Sequence, residues 1–432
     1  MLIQFTVGNY RSIREEVTLN MTAVKHIKEF VDENVFTAGR YSLLKSAVLY
    51  GANASGKSNI FDALAFFRWF TVNSSKETQL DDEINVVPFK LHADYADKPS
   101  SFEVSLLIED VKYRYGYEVT REKVYAEWLL QSVKTKERVL FMRDSEGIEI
   151  HKEFAEGERL EEKTRDNALF LSVVSQFNGK IAGDIIKWFR NFNIISGLAD
   201  HSYESFTAKL LKRNKLKDLI IGSLKEADLG IAGIEVDEFE ITEDMISDDL
   251  PKETAQRLKA NLVGKTDYRI HLLREEANSK EVIRLDFNTE ESEGTKKFFR
   301  LLGPVYDTLA LGRLLIIDEL DARLHPLLTQ LIVQLFNNKD INFKNAQLIF
   351  ATHDTNLLSA CTFRRDQIWF VEKDRAGGSD LYSLAEYKLP KGKVRKDASF
   401  EQDYIKGRYG AIPFLGDFKI LPALTHGQKE ED

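Results

Sequence analysis

Gly51-Ala-Asn-Ala-Ser-Gly56-Lys57-Ser58 matches the pattern G-x-x-x-x-G-K-[ST] at every fixed position. This spacing is suited to cradling phosphates. Glycines at 51 and 56 let successive backbone N–H groups turn toward an anion. A helix that starts at Lys57 adds the partial positive charge of its N-terminus. The Lys57 ammonium then reaches the β/γ-phosphates and the Ser58 hydroxyl takes a place on Mg²⁺. Asn53, Ala54, Ser55 and Asn59 fill out the loop and the first helical turn. The bland alternative is a glycine-rich turn followed by a surface lysine.

A second constellation ends an apolar run. Leu314-Leu-Ile-Ile-Asp318-Glu319 puts two carboxylates at the tip of a strand. Asp318 is the candidate for the Mg²⁺ shell and Glu319 for polarising an attacking water. Strands of many kinds end in acids. The pair carries weight because a phosphate loop precedes it. Ser292-Glu-Gly294-Thr295 opens a helix with Phe298, Leu302 and Val305 on one face. Alone it is a capped helix start. Ahead of the carboxylate pair, its small residues and free amides suit a γ-phosphate. Ala351-Thr-His353-Asp354 follows another apolar run, and His353 is placed to sense that phosphate. Gln176 is a candidate Mg²⁺ or water ligand, against the reading as a plain loop glutamine. Asp321 is a candidate for a junction between protomers, and Arg11 and Ser12 for contacts to base or ribose.

The elements that must hold these residues are legible as patterns. Ser46-Ala-Val-Leu-Tyr50 reads as a strand running into Gly51, and Ile60, Leu64, Phe67 and Phe70 form one helical face after it. Leu2 to Val7 and Val17 to Met21 alternate as strands. Residues 101–150 read as an antiparallel meander turning at Glu109-Asp110 and Asp144–Gly147. From about 180 to 230 the pattern is helical, with Ile185, Trp188, Phe189 and Phe192 on one stripe. The runs at 314–318, 347–351 and 367–371 are apolar throughout, as parallel strands buried on both faces are. Glu235 to Asp249 holds acids and no base, which suits a solvated surface.

Composition narrows the classes. The chain has 432 residues with 43% apolar and 30% charged, a globular profile. Sixty basic residues against 69 acidic give a net charge of −9, so any nucleic-acid contact must be a local patch. A single cysteine, Cys361, excludes an intrachain disulfide. No apolar run reaches the roughly 18 residues of a membrane helix, and the first residues lack a signal-peptide pattern. A cytoplasmic protein with no membrane partner is expected.

Taken in order, the phosphate loop, Gln176, Ser292-x-Gly-Thr, Asp318-Glu319, Asp321 and His353 resemble the ABC-type ATPase head of SMC, RecF and OLD proteins. Asp318-Glu-Leu-Asp-Ala-Arg-Leu-His-Pro326 and Gly407-Arg-Tyr-Gly-Ala-Ile-Pro413 are similar to stand-alone abortive-infection AbiL and restriction-linked RloA ATPases. The resemblance implies an α/β fold: a P-loop NTPase with an ABC-ATPase-like head, a mixed sheet, an antiparallel β-subdomain and a helical lid insertion. It implies lobe I over 1–175, the lid over 176–280, lobe II over 281–420 and a flexible tail over 421–432. It implies ATP and Mg²⁺ as cofactors, and a homodimer that sandwiches two ATP so that Ser292, Gly294 and Thr295 clasp the partner's nucleotide. An anti-phage role follows, with a separate TOPRIM-like nuclease or toxin as effector, since the stretch after His353 is short for such a nuclease. The Ser-Glu-Gly-Thr-Lys-Lys run lacks the Gly-Gly-Gln of transporter ATPases. The alternative function is an ATP-gated DNA clamp in repair. Its DNA-binding strip would be Lys209 to Lys217 or Lys388 to Lys396, unless both are ordinary solvated faces.

Overall fold

A computed structural model describes residues 1–413, apart from 134–135, 215, 228–229, 248, 277–278, 280, 360–361, 390–391 and 395–397. The expected tail at 421–432, Cys361 and parts of both basic strips lie outside these residues.

A six-stranded sheet carries the motifs. Its strands, in chain order, are β1 (Ser46–Tyr50), β2 (Asn193–Ser196), β3 (Leu314–Asp318), β4 (Gln347–Ala351), β5 (Ile368–Lys373) and β6 (Ser379–Ser383). Their spatial order is β2-β3-β4-β1-β5-β6. The first five are mutually parallel, and β6 returns antiparallel to β5. The expectation of buried parallel strands at 314–318, 347–351 and 367–371 is met. The alternating side chains of these strands feed two separate cores. Ala47, Leu49, Leu314, Ile316, Ile349, Ala351, Trp369 and Val371 point into one, and their neighbours Val48, Tyr50, Leu315, Ile317, Leu348, Phe350, Ile368 and Phe370 into the other. That period of two, with both faces buried, explains why each run is apolar throughout.

On the first face lies α1 (Lys57–Asn73), which buries Ile60, Leu64, Phe67 and Phe70. Beyond it sits a seven-stranded antiparallel sheet built from Leu2–Gly8, Val17–Asn20 and the meander Ser100–Ile108, Val111–Val119, Val124–Val133, Lys136–Asp144 and Gly147–Ile150. The Gln347 side chain bridges the two sheets. Its Oε1 accepts from the Leu2 N–H at 2.7 Å and its Nε2 donates to the Leu2 carbonyl at 3.0 Å.

The second face is covered by α2 (Glu293–Leu311) and α3 (Pro326–Asn337). α2 contains Pro304. Proline has no N–H, so the Arg300 carbonyl one turn earlier loses its helical partner. The Thr207 hydroxyl supplies one at 3.2 Å. The adjacent Gly303 lets the helix Ser202–Lys212 approach that closely, because a Cβ there would sit 2.2 Å from Thr207 Oγ1.

The segment 176–280 departs from the helical expectation. It contributes β2 to the central sheet and a hairpin, Gly233–Glu240 with Thr266–Glu275, that Val282–Asp286 extends. β2 is four residues long, too short for a periodic signal. In the hairpin, Ile234 pairs with Leu272 and Val236 with Ile270. The acids between them are solvent-facing and hide the alternation. Arg284 forms ion pairs with Glu235 and Asp237 on that acidic strand.

Candidate nucleotide site

All five parallel strands end on one side of the sheet, and such carboxyl ends are where ligands settle in α/β folds. β1 delivers the glycine-rich loop, β3 delivers Asp318-Glu319, and β4, lying between them, delivers His353. Together they frame a cleft of about 410 Å³ lined by residues 53–59, Glu319, His353 and Lys373.

The loop is braced from behind. Gly56 has φ +112°, and a Cβ on it would lie 2.2 Å from Ser379 Oγ. A hydrogen-bonded chain runs beneath it. Asn59 Nδ2 donates to Ser12 Oγ at 2.6 Å, Ser12 meets Ser379 Oγ at 2.8 Å, and Ser379 donates to the Ser55 carbonyl at 2.6 Å. The Ser379 N–H also donates to the Ser12 carbonyl. Ser12 is thus placed under the loop as a brace, with its hydroxyl engaged, rather than as a free base or ribose contact. Arg11 forms an ion pair with Asp62 on α1. Neither residue lines the cleft.

Lys57 is buried, and its ammonium donates to the carbonyls of Gly51 at 2.7 Å and Ala52 at 3.1 Å. Burial lowers its pKa, and the carboxylates of Asp318, Glu319 and Asp321 oppose that shift. Desolvation and the Lys57 charge likewise hold His353 below the usual imidazole range against the same three acids. A neutral imidazole at the cleft wall can donate to a phosphate oxygen without a permanent charge. The His353 N–H donates to Asp321 Oδ2 at 3.2 Å, so Asp321 fixes the His353 backbone within its own chain.

Asp318 Oδ1 is buried and has no hydrogen-bond partner among the described residues. A stranded carboxylate oxygen beside a phosphate loop calls for a cation. Together with the Ser58 hydroxyl it provides the oxygen donors that Mg²⁺ takes while keeping water and phosphate in its remaining positions. The residues fit the ion.

Gln176 is not brought to this site. It is exposed at the end of the helix Phe170–Gln176, whose Ser172 bonds Ser75 just past the far end of α1. The length of α1, about 24 Å at 1.5 Å per residue, separates that point from Ser58. Ser292 caps α2 as expected, accepting from the Thr295 N–H at 3.1 Å. It stands exposed outside the cleft, beside the loop after β3. Arg323 pairs with Glu293 at 3.5 Å, and the Arg323 carbonyl packs against Gly294.

A profile of the family described as "AAA domain, putative AbiEii toxin, Type IV TA system" matches residues 46–359, from the first residue of β1 to beyond His353. The chain belongs to this family. No curated protein matches it significantly. Among solved structures, the SMC head domain from Thermotoga maritima aligns over 88% of this chain and 98% of its own, at 14% identity and TM-score 0.40. The recombination mediator protein RecF of the RecFOR pathway, in a structure with ATPrS, aligns over 88% and 98% at 14% identity and TM-score 0.32. No helix of this AAA-family chain, among the described residues, is long and apolar enough to cross a membrane.

Three residues of the AAA-family site escape sequence reasoning. Ser379 follows a glycine pair in a hairpin and carries no motif. Lys373 ends β5, the fifth parallel strand, and the chemistry at the ends of β1, β3 and β4 is the available clue. Gly197 follows β2 and donates its N–H to the Asp318 carbonyl at 2.7 Å. A Cβ there would lie 2.1 Å from the Glu319 carbonyl oxygen. Gly197→Ala is therefore expected to push the loop bearing Glu319. Hydrolysis should fall about tenfold or more, since small misplacements at reacting centres are costly. ATP binding should stay near wild type, while the thermal midpoint should fall, because the atoms that must move are backbone. Steady-state phosphate release beside equilibrium ATP binding checks this, and unchanged turnover would show that the contact is slack.

Proposed function

We propose that this protein is a Mg²⁺-dependent ATPase whose two active sites are completed across a head-to-tail homodimer. One observation carries the reading: Lys57, Ser58, Glu319 and His353 share one cleft, while Ser292, Gly294 and Thr295 of the same chain lie outside it at the start of α2, where Ser292 is exposed. The partial positive charge of that helix start suits the nucleotide of a second copy. The two halves of the site come from the described residues of 1–175 and of 281–420, and 176–280 between them adds β2 to the central sheet as well as the hairpin.

A bound Mg²⁺, which Asp318 and Ser58 would hold, would supply neutralisation of phosphate charge. The residues here supply the remainder. The loop amides and Lys57 hold the phosphates. Asp318 and Ser58 hold the ion, Glu319 orients the attacking water, and His353 donates toward the departing phosphate.

The toxin and type IV toxin–antitoxin wording of the family supports a place in abortive infection, with ATP occupancy gating a separate nuclease or toxin in the cytoplasm. The clamp reading gains less. Lys212 of the first basic strip bonds the Val236 carbonyl on the acidic strand, so it is engaged within its own chain.

Lys57→Ala tests the chemistry. Loss of charge-assisted bonds to phosphate should weaken ATP binding by about 2–3 kcal/mol and abolish turnover. Near-wild-type phosphate release in this variant would sink the site assignment. Plaque counts on cells expressing the wild type or Lys57→Ala with its neighbouring genes test the role. Equal plaque counts, together with ATP-dependent retention of DNA, would favour the clamp.

A further inference from the structure

The cations around the glycine-rich loop are not equivalent. Lys57 is turned inward onto two carbonyls. Arg11 is paired with Asp62, and Arg14 with Glu15 and Asp374. Lys373 lines the cleft, is exposed, and has no hydrogen bond or ion pair from its side chain among the described residues. Among the described residues it is the only cation besides Lys57 in the cleft lining, and Glu319 shares that lining. A polyphosphate entering there meets the negative field of Asp318, Glu319 and Asp321, which one buried ammonium does not balance.

The position of Lys373 is built rather than incidental. It is the last residue of β5 and pairs in register with Ser379 of β6. Ser379 is the residue that holds the Ser55 carbonyl and underlies Gly56. Two residues back along β5, the Val371 carbonyl packs against Gly51. The β5–β6 ribbon is therefore fastened to the loop at both ends. Alternation along β5 sends the preceding side chain the other way, where Glu372 accepts from the Tyr382 hydroxyl at 3.0 Å. A strand-borne side chain with such support is positioned better than one on a free loop.

We propose that Lys373 is a second phosphate-contacting residue of the nucleotide site, its ammonium binding the polyphosphate from the β5 side of the cleft. This rests on the ATPase reading above and adds a residue that neither the loop motif nor the carboxylate pair contains. An exposed lysine is a compact, strongly hydrated charge, so its contribution is electrostatic and survives replacement by arginine.

The test is equilibrium binding of ATP, ADP and AMP to wild type, Lys373→Ala, Lys373→Glu, Lys373→Arg and Lys57→Ala, with thermal midpoints as a folding control. Lys373→Ala should weaken ATP binding about tenfold and Lys373→Glu about a hundredfold, in line with loss and then reversal of one charge-assisted contact. Lys373→Arg should stay within about threefold of wild type. The penalty should shrink from ATP to ADP to AMP. A penalty equal for ATP and AMP would put the contact on base or ribose and overturn the proposal. So would wild-type ATP binding by Lys373→Glu in a preparation where Lys57→Ala has lost it. If Lys57→Ala also binds normally, it is the ATPase site itself that fails.

Discussion

Glu319→Gln is expected to bind ATP and Mg²⁺ at least as tightly as wild type, and to hydrolyse it about 10² to 10⁴ times more slowly. Glu319 follows β3 with φ +52°, a conformation held by the loop around it, and it lines the cleft opposite the phosphate loop. Glutamine keeps the length of the side chain and one carbonyl oxygen. It removes the basic oxygen that takes up or orients the proton of the attacking water. It also removes one of three negative charges acting on Lys57, which eases the approach of a polyanion. Binding and chemistry should therefore separate in this variant, whereas Lys57→Ala loses both. On the composite-site reading, unhydrolysed ATP should also hold the dimer closed, and sedimentation in ATP should show a larger species. Turnover within about threefold of wild type would remove Glu319 from the mechanism. Loss of ATP binding would mean that the substitution acts on the fold.

The ease of reading the central sheet has a physical origin. β1, β3, β4 and β5 are buried on both faces, so after Ser46 and Gln347 at the starts of β1 and β4 their sequences are apolar, and their ends are marked by abrupt polarity at Gly51, Asp318, Thr352 and Glu372. The loop after β1 is legible for a different reason. Only particular residues allow backbone amides to wrap phosphates, so the chemistry is written in a contiguous string. Residues that act through the third dimension leave no such string. Ser12 and Ser379 are far apart in sequence yet meet under Gly56 at 2.8 Å. Gln176 shows the converse. Its place in the chain order suggested a ligand, but the helix it ends packs at the wrong end of α1. The hairpin around Ile234 and Leu272 was hidden because its solvent face is charged, which suppresses the apolar contrast that marks a strand.

Mixing two inactive variants is expected to restore hydrolysis, and this outcome bears most directly on whether the active site is shared. Ser292→Arg places a long cation at the exposed start of α2, where the proposed partner nucleotide docks. The substitution also deletes the cap that holds the Thr295 N–H at 3.1 Å, at a cost of about 0.5–2 kcal/mol. Ser292→Ala deletes the same cap without the bulk, so it reports the capping loss alone. Since Ser292, Gly294 and Thr295 do not line the cleft of their own chain, Ser292→Arg should bind ATP with near-wild-type affinity and fail to hydrolyse it. Lys57→Ala fails for the complementary reason. In a mixed dimer, one of the two sites receives intact Lys57 from the Ser292→Arg chain and intact Ser292 from the Lys57→Ala chain. With free exchange and equal amounts, about a quarter of wild-type sites should be rebuilt, as a two-fold arrangement requires. Phosphate release from the mixture, compared with each variant alone, reads this directly. Efficient hydrolysis by Ser292→Arg on its own would make each chain catalytically self-contained. A mixture that stays silent, although labelled subunits are seen to exchange, would equally break the composite site.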